Sequence, residues 1–176
     1  MSTQTFRRSA PKSVAASQRA AALADRLERG AQALIAFAGT ITDAEWRVPA
    51  SATDRRPVGV MVHHVANMYP LEIDLALKLA SETPLPPVTM TDIHHLNAEH
   101  AASRAEVTKA EAIELVRRNS TMAAEAIRAL SDVELDRAQP AKLYDDAPVT
   151  CQFMLEDHAV RHSYHHLAVI RAALKR

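Results

Sequence analysis

Apolar residues recur at the helical period along almost the whole of this chain, and that constrains its fold more than any other feature. Leu23, Leu27, Leu34, Ala38 and Ile41 fall on one side of a segment expected to be helical from about residue 14 to 38. A second stripe, Met61, His64, Met68, Leu71, Leu75 and Leu79, predicts a helix from about 57 to 81. Pro57 suits its first turn, and Pro70 should kink it by withdrawing the hydrogen bond to the carbonyl of Ala66. A third helical stretch, about 91 to 130 with a break near Thr108, buries Ile113, Val116, Ala123, Ile127 and Leu130. The last helix runs from about 150 to 175. Capping boxes at Thr42–Glu45, Thr108–Glu111 and Ser131–Glu134 mark helix starts, while Gly39 is expected to end the first helix. Pro84, Pro86 and Pro87 stiffen the connector after the second helix. A long helix, a short capped turn, a proline-bearing loop and a His-bearing helix occur twice in that order, a weak internal duplication. No strand pattern is evident, and 137 to 148 reads as a loop. The expected fold class is all-α, a four-helix bundle.

Composition agrees. Glycine occurs three times in 176 residues, whereas alanine makes up roughly a fifth of them. Twenty-one basic side chains balance 21 acidic ones, which argues against nucleic acid or an anionic membrane as a partner. The single Cys151 allows neither an internal disulfide nor a Cys-based zinc cluster, and reads as a small buried thiol. There is no apolar run of membrane-spanning length and no secretory signal, so a cytoplasmic location is expected. Residues 1–14, with Arg7, Arg8 and Lys12 but no acid, are expected to be a disordered basic tail, although an organellar presequence has the same character. Residues 15–176 then form one domain.

The chemistry lies in the nine histidines, four of which fall between His158 and His166. His158, His162 and His166 are spaced i, i+4, i+8, so in a regular helix they stack on one face, which they share with Leu155, Val169 and Ala173. His165 points about 100° away from His166. On the second helix His64, rather than His63, shares the apolar stripe and is expected to face inward. A His pair one turn apart is a natural metal clamp, and a third imidazole from a facing helix leaves a fourth position for water or substrate. The plain structural alternative is a set of hydrogen-bonded core histidines. His94, His95 and His100 are expected to be partly exposed, and Asn97 is a candidate pocket residue. Glu72, Asp74, Glu156 and Asp157 are candidate partners for imidazole N–H groups, with nothing in the sequence to choose among them. Trp46 and the tyrosines read as packing residues. The chain has no HExxH, GxSxG or phosphate-binding glycine loop.

At two segments the chain resembles the DinB/YfiT-like superfamily: Val58-Gly-Val-Met-Val-His-His64-Val-Ala and Arg161-His162-Ser-Tyr-His-His166-Leu-Ala-Val-Ile. Asp92-Ile-His-His-Leu-Asn97-Ala-Glu is similar to relatives of the mycothiol-dependent maleylpyruvate isomerase type. The resemblance spans about residues 15 to 174. It implies an up-down-down-up bundle, commonly a homodimer, with a divalent metal, zinc or nickel, held by His64, His162 and His166. His158 lies outside that trio and is left as a neighbour of the site or a fourth ligand.

Three neutral imidazoles leave the full charge on such an ion, which acidifies water or a low-molecular-weight thiol. The expected function is therefore a metal-dependent hydrolase or a thiol-dependent transferase acting on a small molecule. The rival is a non-catalytic bundle, either tied together by its metal or serving as a small-molecule binding module.

Overall fold

The computed structural model describes residues 17–51 and 53–176; the expected basic tail, 1–14, lies outside them. Helix α1 is Gln18–Thr40, capped by the Ser17 hydroxyl, which accepts from the Ala20 N–H. It runs through Gly39 and stops where the capping box of α2 (Asp43–Trp46) begins, so Gly39 is not its terminator. Helices α3 (Val58–Ala80), α4 (Met90–Ser103), α5 (Lys109–Arg128) and α6 (Asp132–Asp136) follow. The boxes at Thr108 and Ser131 form as expected, and a further one, Thr89 with Asp92, opens α4.

The expected loop before the last helix is instead a small antiparallel hairpin, β1 (Ala138–Ala141) with β2 (Ala147–Thr150). Pro140 opposes Pro148 in it, and Asp145 and Asp146 take left-handed conformations at the turn. Two prolines in such short strands leave no alternating β-branched run, so the pattern had nothing to register.

The last helix is continuous but not uniform. Its first turn, α7 (Cys151–Met154), passes into a π-helical segment, Leu155–Val160, before regular α-helix resumes in α8 (Arg161–Leu174). This segment decides where the histidines go.

Helix α1 packs against α5 and α8, and α3 packs against α5 and the last helix, so α1 and α3 sit diagonally in the bundle. Contacts at the ends fix the directions. The Trp46 Nε1–H donates to the Val107 carbonyl at 2.9 Å, Lys109 Nζ to the Ile41 carbonyl at 2.5 Å, and Arg176 pairs with Glu45 at 2.8 Å. These bring the C-terminal ends of α1 and α8 beside the N-terminal ends of α3 and α5. The order is up-down-down-up.

Two local features hold α3 in place. Trp46 lies so close to α3 that a Cβ on Gly59 would stand 2.2 Å from its Nε1, so only glycine fits there. Pro70 frees the Ala66 carbonyl as expected, and the buried Asn119 of α5 donates to it from Nδ2 at 2.8 Å. The expected stripe holds for Met61, His64, Met68 and Leu79 but fails at Leu71, which is 44% exposed. Past Pro70 the buried positions are Glu72, Ile73, Ala76, Leu79 and Ala80, which places an acid on the inner face.

Candidate metal centre

Regular α-helix from Arg161 onward sets His162 and His166 one turn apart, so both rings project from α8 toward α3, where His64 meets them. The ring centroids are 4.7 Å apart for His162–His166, 5.0 Å for His64–His162 and 5.3 Å for His64–His166. One donor atom from each of the three lies within 4.8 Å of the others. His64 Nε2 and His162 Nε2 are 3.2 Å apart. Two nitrogens on a tetrahedral zinc are expected about 3.3 Å apart, given Zn–N bonds of about 2.0–2.1 Å.

Glu72 completes the arrangement. Its carboxylate, 3% exposed, accepts from His162 Nδ1–H at 2.5 Å. That bond fixes the His162 tautomer, leaving the Nε2 lone pair facing His64. Of the four acids open to this role, Asp74 pairs with Lys78, Glu156 with Arg26, and Asp157 with Arg161 and Tyr144. Beside the site, Tyr69 and Ser163 share a buried hydrogen bond that locks α3 to α8.

Burial pushes the His64 and His166 imidazoles down to about 2, with the neighbouring imidazoles and the Arg56 charge acting in the same direction. Both rings are therefore neutral at physiological pH, the form a metal requires. Among the described residues, Nδ1 of His64, Nδ1 of His166 and Glu72 Oε2 are buried without a hydrogen-bond partner. Three neutral imidazoles, one of them oriented by a carboxylate, form a donor set suited to a divalent transition metal. His64 is buried, while His162 and His166 keep partial exposure.

Among the other histidines, His158, His63 and His100 fall differently from expectation. His158 does not join the cluster: its Nε2 lies 2.7 Å from the Tyr144 hydroxyl, which donates to Asp157 at 2.8 Å. A π turn carries one extra residue, so it sets everything before it back by about 100° and turns His158 away from the line of His162 and His166. His63 and His100, expected to be less inward and partly exposed, are both buried, with His63 Nδ1 and His100 Nε2 in hydrogen-bond contact at 2.8 Å. The cause is the packing of α4 on α3, which brings the His100 ring to 5.6 Å from His64. Asn97 is half-buried, and its Oδ1 has no partner among the described residues. His94, His95 and His165 are exposed. Cys151 is buried and its thiol is pushed up to about 11 by desolvation, as befits a packing residue.

The class defined by the fold and site is an up-down-down-up helical bundle whose second and last long helices bring together three histidines that could hold a metal ion. Residues 26–170 match the family model of the DinB superfamily, and the chain belongs to that family. Among solved structures it is similar to YfiT from Bacillus subtilis, described as a probable metal-dependent hydrolase with an unusual four-helix bundle topology. The TM-score is 0.67 at 20% identity, over 96% of this chain and 93% of that one. Curated proteins offer no match. No helix among the described residues is long and apolar enough to cross a membrane.

Proposed function

We propose that the protein is a metal-dependent hydrolase of small molecules, with zinc or nickel held by His64, His162 and His166. The observation that carries this reading is the hydrogen bond from His162 to the buried Glu72 carboxylate, which aims one imidazole at two neutral ones. The description of YfiT as a probable metal-dependent hydrolase supports it. Bound there, a divalent ion supplies Lewis-acid polarisation of the substrate and acidification of the nucleophile. The chain's own residues do the rest. Glu72 fixes the His162 ring, the Tyr69–Ser163 bond keeps α3 and α8 in register, and partial exposure of His162 and His166 leaves a side of the cluster open to a small substrate. Cys151 is buried and protonated, so a thiol-dependent transfer would need an external low-molecular-weight thiol.

The test is metal content per chain in protein purified without a nickel column, beside His64→Ala and His162→Ala, followed by hydrolysis assays on a panel of small esters, amides and lactones. About one ion per chain is expected, lost in both variants. Helicity should survive chelation, because the apolar core extends along the bundle well beyond the site. Absence of metal after reconstitution would sink the proposal, and unfolding on chelation would favour a structural metal. Turnover only with an added thiol would reassign the reaction to a transferase.

A further inference from the structure

His63, Asn67 and Pro70 recur at i, i+4 and i+7 on α3 and line a groove of about 740 Å³, bounded on its other sides by α5 and the connector between α4 and α5. That size suits a small molecule. None of His64, His162 and His166 lines it, so it is separate from the metal centre.

A buried polar group reaches this groove. His63 is 6% exposed, and its Nδ1 lies 2.8 Å from His100 Nε2, so one of the two nitrogens donates. His100 Nδ1 is buried without a partner among the described residues. A bare acceptor is tolerated there more readily than a stranded N–H. His100 therefore carries its proton on Nε2 and donates it, His63 Nδ1 accepts, and the His63 proton sits on Nε2. That N–H has no partner among the described residues and is not fully buried, which leaves the groove as its outlet.

A cation is held beside it. Asn119, itself buried, donates to the Ala66 carbonyl at 2.8 Å and accepts from Arg118 Nε at 3.3 Å. Ala66 stands only three residues beyond His63, about 4.5 Å along the helix axis. Helices α3 and α5 run the same way, and side chains lean toward a helix's N-terminus, so Arg118 leans back toward the level of His63. Its Nη1 and Nη2 have no partner among the described residues, and they form a free fork. Of the three acids in the lining, Glu111 accepts from Thr108 in the α5 capping box and Glu114 accepts from Arg117 at 2.5 Å. Glu106 stands two residues from the oppositely charged Arg104 on the connector. His63 Nε2–H and the Arg118 fork are thus donors that no neighbour neutralises, while Pro70, Val107 and Leu115 add an apolar wall.

We infer that this groove binds a small organic acid, with its carboxylate on the Arg118 fork and the His63 Nε2–H and its apolar body against Pro70, Val107 and Leu115. A planar carboxylate matches the fork. A phosphate dianion would carry twice the charge past the three glutamates and has no body for the apolar wall.

Benzoate is the probe, titrated calorimetrically into the protein as purified and after chelation, with benzyl alcohol and inorganic phosphate compared at equal ionic strength. Saturable benzoate binding of equal affinity is expected in both forms, tighter than either comparison. It should weaken about tenfold or more in Arg118→Gln, in line with loss of a charge-assisted hydrogen bond. Arg118 is exposed, so the circular dichroism of this variant should match the wild type. In a long-range ¹H–¹⁵N spectrum of the wild type, His63 should carry its proton on Nε2 and shift with benzoate, while His162 and His166 stay in place. No saturable binding, wild-type affinity in Arg118→Gln, or a His63 proton on Nδ1 would overturn the assignment. Binding that disappears on chelation would move benzoate to the metal centre and overturn it equally. Tighter binding of phosphate, or equal binding of benzyl alcohol, would overturn the choice of a carboxylate. A protein without metal that still binds benzoate through Arg118 would sink the hydrolase reading and leave this site standing.

Discussion

Acidification of the metal-free protein is a direct test of how the cluster is buried. Folding holds His64 and His166 down at about 2, against 6.5 for an ordinary imidazole, with burial the leading cause. A group depressed in this way stabilises the fold fully above pH 6.5 and loses that contribution as pH falls toward the folded value, because the unfolded chain takes up protons that the folded one refuses. Between pH 7.5 and 5.5 an unfolded imidazole gains about 0.8 of a proton, and integration gives about 1.4 kcal/mol for each ring kept neutral. His64 and His166 together therefore remove about 3 kcal/mol over that interval, a large share of a typical 5–15 kcal/mol. His63 and His100, both lowered by desolvation, act in the same direction. The assay is urea unfolding at pH 7.5, 6.5 and 5.5 in the presence of a chelator, followed by circular dichroism. His64→Gln should show a pH-dependent loss about 1.4 kcal/mol smaller than the wild type, whatever its stability at pH 7.5. A wild-type loss below about 1 kcal/mol, or equal losses in the two proteins, would refute the burial argument.

Two further outcomes follow from the packing around the site. Glu72→Gln should weaken zinc binding by about 10–100-fold in a chelator competition, with little change in helix content, because it loosens the orientation of His162 without removing a donor; unchanged affinity would show that His162 needs no carboxylate. Asn119→Ala should cost about 1–3 kcal/mol in urea unfolding, since it strands the Ala66 carbonyl that Pro70 already leaves free inside the bundle. A neutral result would mean that water reaches that carbonyl.

What the sequence made legible divides along the line between local and tertiary order. The four long helices, the carbonyl freed by Pro70 and the pairing of His162 with His166 follow from periodicity and from side-chain chemistry within one segment, and the structure keeps them. Glu72 was visible only as one acid among four. Its selection depends on how far past Pro70 the buried face of α3 rotates, and that is set by the flanking helices rather than by α3 itself. His100 was obscured for a related reason: it belongs to a segment whose own pattern is polar, and it is brought toward the cluster by the way α4 lies against α3.

His158 is the instructive case, because the reasoning that located His162 and His166 also placed it with them. The i, i+4, i+8 spacing aligns three rings only if every turn between them holds 3.6 residues. The segment Leu155–Val160 breaks that condition just before His162. The slip has two consequences in one step. It takes a fourth imidazole off the line of the cluster, and it points Asp157 and His158 at Tyr144, docking the β1–β2 hairpin against the last helix. With His158 in line, four imidazoles could close a tetrahedral shell and leave no room for a reactant; with it displaced, three remain, the number that keeps a coordination position available. The π turn is thus the element of the backbone that leaves three imidazoles in the cluster rather than four.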